Sequence, residues 1–224
     1  MLSLFSFCWK IVKLRRNASK GSEMANVTIY IADVFELTKI GTFAKDLTAR
    51  VKLLFDDCIA FANKNVKKGD PPHTSGVVIV TTRPSPSKLD YLAYLLPVEF
   101  HSIAGAPTKD NLLADHWGFT TVATGKSEIS AKSEIIAKLT QGGVIGSLVI
   151  HEMLHYKTGK GNQALHQTGG LGAASVDASS QLNDTNRRDI ATTLTKEITP
   201  WLDGWDICAN AKARRDAGDP LWNL

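Results

Sequence analysis

Apolar positions recur along this chain with two different periods, and the changes of period divide it into elements. Val27–Ala32 (VTIYIA) is a β-branched and aromatic run, as a first strand requires. Phe43, Leu47, Val51, Leu54, Phe55, Ile59 and Ala62 then keep helical spacing, which predicts a helix over Phe43–Val66. A charged turn closed by Pro71-Pro72 follows, and Val77–Thr81 (VVIVT) is a continuous apolar run of the kind buried strands carry. Pro84–Lys88 breaks the chain again. Beyond it the pattern predicts a short helix at Leu89–Leu96, strands at Val98–Ile103 and Gly118–Thr124, and a helix at Ser127–Leu139.

Gly142-Gly143 opens Val144–Thr158, where apolar residues occupy nearly every side: Val144, Ile145, Leu148, Val149, Ile150, Met153 and Leu154. A helix apolar all round is a buried one. Gly159 and Gly161 end it, and residues 159–183 read as a long irregular stretch rich in Gly, Ala, Ser, Gln and Asn. Asp184–Ile198 is predicted as a last helix, capped by Asn183 or Asp184, striped by Ile190, Leu194 and Ile198, and stopped by Pro200. There is no internal repeat and no low-complexity linker, so residues 24–224 read as one α+β domain.

Composition narrows the picture. The 224 residues are 43% hydrophobic and 21% charged, which suits a chain that buries a core. Of 26 Lys and Arg, five (Lys10, Lys13, Arg15, Arg16, Lys20) lie in the first 20 residues, which hold no acid; the other 21 face 22 Asp and Glu. The folded part therefore carries no basic excess, and nucleic acid is not an expected partner. Met1–Arg16 places its apolar residues before its basic ones, the reverse of a secretory signal, and is too short to span a bilayer. A weak membrane contact through residues 1–16 is one reading; a tail of residues 1–23, with the domain starting at Met24, is the simpler one. The compartment stays open between the cytoplasm and export without a standard signal peptide, and a monomer is expected. Cys8, Cys58 and Cys208 are far apart and odd in number, so they form neither a disulfide framework nor a metal knuckle.

The chemistry concentrates at His151-Glu152-Met153-Leu154-His155. On a helix, positions four apart share a face, so His151 and His155 can reach one ion, with Glu152 one step round to act on a water. Two histidines and a glutamate on a buried helix are costly to desolvate without partners, and a metal is such a partner. With cysteine absent nearby, a catalytic zinc needs a third protein ligand. His166 is the favoured residue, reached through the Gly159 and Gly161 turn; Asp177 and Glu197 are its rivals. His101, His116 and Tyr156 are the available second donors to a developing oxyanion. Gly169–Gly172 (GGLG) follows no strand, so a phosphate-binding reading is weak.

This HExxH run resembles the signature of the zincin metallopeptidases. The order of elements from Val27 to Ile198 resembles their metzincin branch, in which a strand, a long helix and further strands precede the active-site helix, a glycine turn brings a third histidine, and a last helix closes the domain. The resemblance implies a zincin-like α+β fold: a mixed twisted sheet, a long N-terminal helix, a buried active-site helix and a C-terminal helix. It also implies Zn2+ on His151, His155 and His166, and hydrolysis of a peptide or protein substrate by a zinc-activated water with Glu152 as general base. The enzyme would be a general protease or a toxin-like effector, with Gly118–Thr124 in the place of the strand that binds extended substrate. The alternative is a non-catalytic binding protein with a structural metal on the same scaffold. The chain departs from the metzincin pattern HExxHxxGxxH: Thr158 stands at the glycine position, the third histidine comes late, and no methionine follows Met153. Leu171, Val176 or Leu182 would have to form the floor that a methionine forms in that family.

Overall fold

The apolar runs assemble into one sheet with helices packed on it. The computed structural model describes residues 27–33, 37–39, 41–65, 76–96, 118–121, 126–130 and 142–199. Its strands are β1 (Thr28–Ala32), β2 (Val77–Thr81), β3 (Tyr91–Leu96), β4 (Gly118–Thr121) and β5 (Lys126–Ser130). They lie in the order β2-β1-β3-β5-β4. The first four in that order run parallel, and β4 pairs antiparallel with β5 at the edge. The helices are α1 (Phe43–Lys64), α2 (Gly142–Thr158), the short α3 (Asn162–His166) and α4 (Asp184–Thr193). The fold class is thus α+β with a mixed sheet, in line with the coarse expectation.

One predicted helix is a strand, and the described start of another is strand as well. Leu89–Leu96 contributes β3, the middle strand, hydrogen-bonded to β1 on one side and β5 on the other. Tyr91, Leu92, Ala93, Tyr94 and Leu95 are all buried. A parallel strand covered on both faces has no polar side to alternate, and its unbroken apolar run is indistinguishable by period from a buried helix turn. Ser127–Leu139 begins inside β5, where pairing with β3 and β4 overrides a modest helical preference. Gly118–Thr124 supplies β4. Val98–Ile103, the remainder of 127–139, the tail of residues 1–23 and the tryptophan-rich end after residue 199 lie outside the described residues. No helix among the described residues is long and apolar enough to cross a membrane.

α1 and α2 touch through glycine. A Cβ on Gly142 would stand 2.4 Å from the Leu47 nitrogen and 2.5 Å from the Phe43 carbonyl oxygen, and one on Gly146 would stand 2.7 Å from the Arg50 Cβ. Arg50 then crosses the seam: its Nε donates to Ser147 Oγ at 3.0 Å and its Nη2 donates to the Ser180 carbonyl. Leu47, Val51, Leu54 and Phe55 of α1 interleave with Ile145, Val149 and Ile150 of α2 in one core with Ile29 and Ile31 of β1. Gly142→Ala should lower stability by about 3 kcal/mol, because the obstruction is backbone and has no rotamer to escape into. Chemical denaturation measures this, and an unchanged midpoint would mean the helices have room to separate.

The last helix is shorter than predicted. α4 ends at Thr193, and the chain beyond it is tied to the turn before β3: Ile198 N donates to Lys88 O at 2.8 Å, and Lys157 Nζ donates to Leu89 O at 2.6 Å and Lys196 O at 3.3 Å. Lys157 is fully buried, and burial pulls its ammonium down to about 8 although the Asp90 carboxylate opposes the shift. These tertiary bonds replace the last helical turn that Leu194 and Ile198 were predicted to extend.

Candidate metal centre

His151 and His155 stand one turn apart on α2, with ring centroids 4.9 Å apart. His166 completes the group from α3, its ring centroid 5.4 Å from that of His151 and 5.5 Å from that of His155. One ligand atom from each of the three lies within 4.8 Å of the others. The return of the chain follows from local sequence. Gly159 takes φ +70, a conformation that ends α2, and its N–H donates to His155 O at 2.9 Å. α3 starts after Gly161, and fully buried Leu165 anchors it, which leaves its neighbour His166 half-buried beside α2.

Both helix histidines are oriented by backbone. His151 Nδ1 lies 2.7 Å from Leu171 O, and His155 Nδ1 lies 2.7 Å from Lys160 O. A carbonyl only accepts, so each Nδ1 carries the proton, and each Nε2 is left as the basic nitrogen a metal requires. Burial keeps both rings neutral. Desolvation lowers His151 to about 4, opposed by its bond to Leu171 and reinforced by the neighbouring His155 and His166. His155 is lowered by burial first, with the Lys160 carbonyl opposing and His166 adding.

These shifts set a pH dependence for the metal-free protein. His151 has its ordinary value of 6.5 in the unfolded chain and about 4 in the fold. Below 6.5 the unfolded chain therefore takes up a proton that the fold refuses, and stability falls as pH drops until it levels off near 4. At about 1.4 kcal/mol per pH unit, this one ring accounts for roughly 3 kcal/mol of lost stability. Thermal melts of the metal-free protein from pH 7 to pH 4.5 should show the decline, and a flat profile would contradict it.

Glu152 is buried on α2 immediately after His151, 2% exposed. The rival ligands are elsewhere. Asp177 is exposed, and its Oδ1 accepts from Ser179 N and Ser179 Oγ, both at 2.7 Å, so it closes a turn. Those Ser179 bonds hold its carboxyl below the ordinary range. Glu197 is exposed and lies past the end of α4. Among the described residues, His151, His155 and His166 are the group that could hold a metal. Tyr156 packs edge-to-face on Tyr91, centroids 5.1 Å apart, and burial with the nearby Asp90 pushes its hydroxyl up to about 12. It is a core residue between α2 and β3. His101 and His116 lie outside the described residues.

Sequence reasoning missed the groups that orient the histidines. Leu171 was weighed as an apolar floor, but its carbonyl is what meets His151. Lys160 contributes its carbonyl to His155 while its ammonium pairs with Asp189 of α4. The GGLG run serves this loop: Gly169 and Gly170 take φ +68 and +58, and Gly170 passes so close to Asn186 that a Cβ would stand 2.7 Å from its Oδ1. Backbone acceptors have no residue-type signature; the paired glycines were the only available trace.

No protein-family profile matches the sequence, and no curated protein and no solved structure matches it either.

Proposed function

We propose that the chain is a zinc-dependent metallopeptidase of zincin type, with zinc held by His151, His155 and His166. The supporting observation is the convergence of the three imidazoles with two Nδ1 atoms already committed to carbonyls. Three imidazole nitrogen donors are the donor set of a catalytic zinc site that keeps one position open. When bound, zinc supplies Lewis acidity, bringing the pKa of a water toward neutrality and polarising an amide carbonyl.

The protein's own part is proton handling and positioning. Glu152, beside His151 and outside the ligand group, takes the proton from the attacking water and returns it to the leaving amine. Leu171 O and Lys160 O hold the two helix imidazoles in one tautomer. β4, at the antiparallel edge of the sheet, offers backbone groups to which an extended peptide could add as a further strand. The alternative, a binding protein with a structural metal, is less well supported. Such a site closes its fourth position with protein, and no fourth His, Cys, Asp or Glu joins the group among the described residues.

Hydrolysis of an unfolded protein substrate by the zinc-loaded chain, and none by Glu152→Gln, is the expected result. Zinc binding without turnover by either protein would favour the structural-metal alternative.

A further inference from the structure

α4 turns a polar face toward the loop that carries the third histidine. Asn186, on its first turn, is fully buried. Asn186 and Asn183 form a capping box: Asn183 Oδ1 accepts from Asn186 N at 2.9 Å, and Asn186 Oδ1 accepts from Asn183 N at 3.3 Å. That uses only the oxygen of the Asn186 amide. Its Nδ2 donates to Thr168 Oγ1 at 3.0 Å, and the Thr168 hydroxyl donates in turn to Leu165 O at 2.7 Å. Asn183 Nδ2 adds a bond to Thr168 O at 2.7 Å.

Thr168 stands two residues after His166 and three before Leu171, whose carbonyl orients His151. The loop is pressed onto Asn186 from both sides. Cβ atoms on Gly170 and Gly172 would stand 2.7 Å from Asn186 Oδ1 and 2.9 Å from Asn186 Nδ2. Leu171 N is bound to Gln181 O at 3.0 Å, which closes the same loop against the segment leading into α4. One buried amide therefore spans the segment whose two ends deliver His166 and the partner of His151.

We propose that Asn186, acting through Thr168, is a positioning residue for the metal centre, setting His166 relative to His151. The inference rests on reading the three histidines as a metal site. A cap alone would need only the amide oxygen; the Nδ2–Thr168 bond is the part the cap does not require. Neither residue is in the histidine group itself, so each acts through the ligands it places.

The test compares zinc affinity by chelator competition and the visible absorption of the Co2+-substituted protein. Thr168→Val removes the hydroxyl at nearly constant volume and should weaken zinc binding about ten-fold with an altered Co2+ spectrum. Thr168→Ser restores the hydroxyl and should restore both. Asn186→Asp keeps the capping acceptor without the Nδ2 donor and should behave as Thr168→Val. Arg187→Ala, which breaks the bond of α4 to Asp57 on α1 and the pair with Asp184 within α4, should lower the melting temperature and leave affinity and spectrum unchanged. Wild-type affinity and spectrum in Thr168→Val would overturn the inference while the metal site stands. No zinc uptake by the unaltered chain would remove the metal site and the inference together.

Discussion

Glu152→Gln is expected to keep one zinc per chain and to lower peptide hydrolysis by at least about a thousand-fold, the upper range of what a positioned general base contributes. The amide has the shape of the carboxylate but cannot accept a proton at neutral pH. Glu152 is buried on α2, where a neutral isostere is tolerated, and it does not belong to the histidine group. The two readouts therefore separate. Lost activity with zinc retained assigns Glu152 to proton transfer. Loss of zinc as well would make it part of the metal's support, and retained activity would place water activation elsewhere.

Alanine at His151, His155 or His166 carries the second large effect. Removing a ligand should cost zinc affinity more than the roughly 10–100-fold typical of outer-shell changes. The three positions should differ in what else they lose. His151 and His155 are buried on α2 and hydrogen-bonded to Leu171 O and Lys160 O, so their alanine variants also leave the buried Leu171 carbonyl or the partly buried Lys160 carbonyl without its donor. His166 is half-buried on the short α3, and its loss should spare the metal-free fold. Zinc at a hundred times its dissociation constant stabilises a folded chain by about 2.7 kcal/mol. Melting temperature with and without zinc reads the outcome: unaltered protein should be stabilised, and His166→Ala should melt alike in both conditions. Zinc-dependent stabilisation that survives in His166→Ala would remove it from the ligand set.

How far the sequence carried the fold depended on whether local and tertiary preferences agreed. α1 and α2 were legible because several turns of apolar spacing and a glycine boundary coincide with helices that pack through Gly142 and Gly146. β1 and β2 were legible from β-branched runs. β3 was not, because Tyr91–Leu96 is apolar on both faces and its Leu and Ala suit a helix as well as a strand; only its place between β1 and β5 decides. The end of α4 was misjudged for a similar reason, since the bonds of Lys88 and Lys157 to the following segment, at Ile198 and Lys196, join residues far apart in sequence.

The candidate site followed the same rule. His151, Glu152 and His155 share one helix, so their spacing alone places them. His166 was reachable because Gly159 marks where the chain reverses. Its rivals Asp177 and Glu197 had no sequence feature against them, and only the turn bonds of the one and the exposure of both set them apart. The carbonyls of Leu171 and Lys160, and the Thr168–Asn186 bond behind them, join residues as much as 20 positions apart through atoms every residue possesses or side chains with many other uses.

The most direct test of the central claim is the metal content of the purified chain and of His166→Ala, measured by elemental analysis after dialysis against a weak chelator. A three-histidine zinc site predicts close to one zinc per chain in the first and almost none in the second. No bound metal in the unaltered chain, or equal zinc in both, would contradict it.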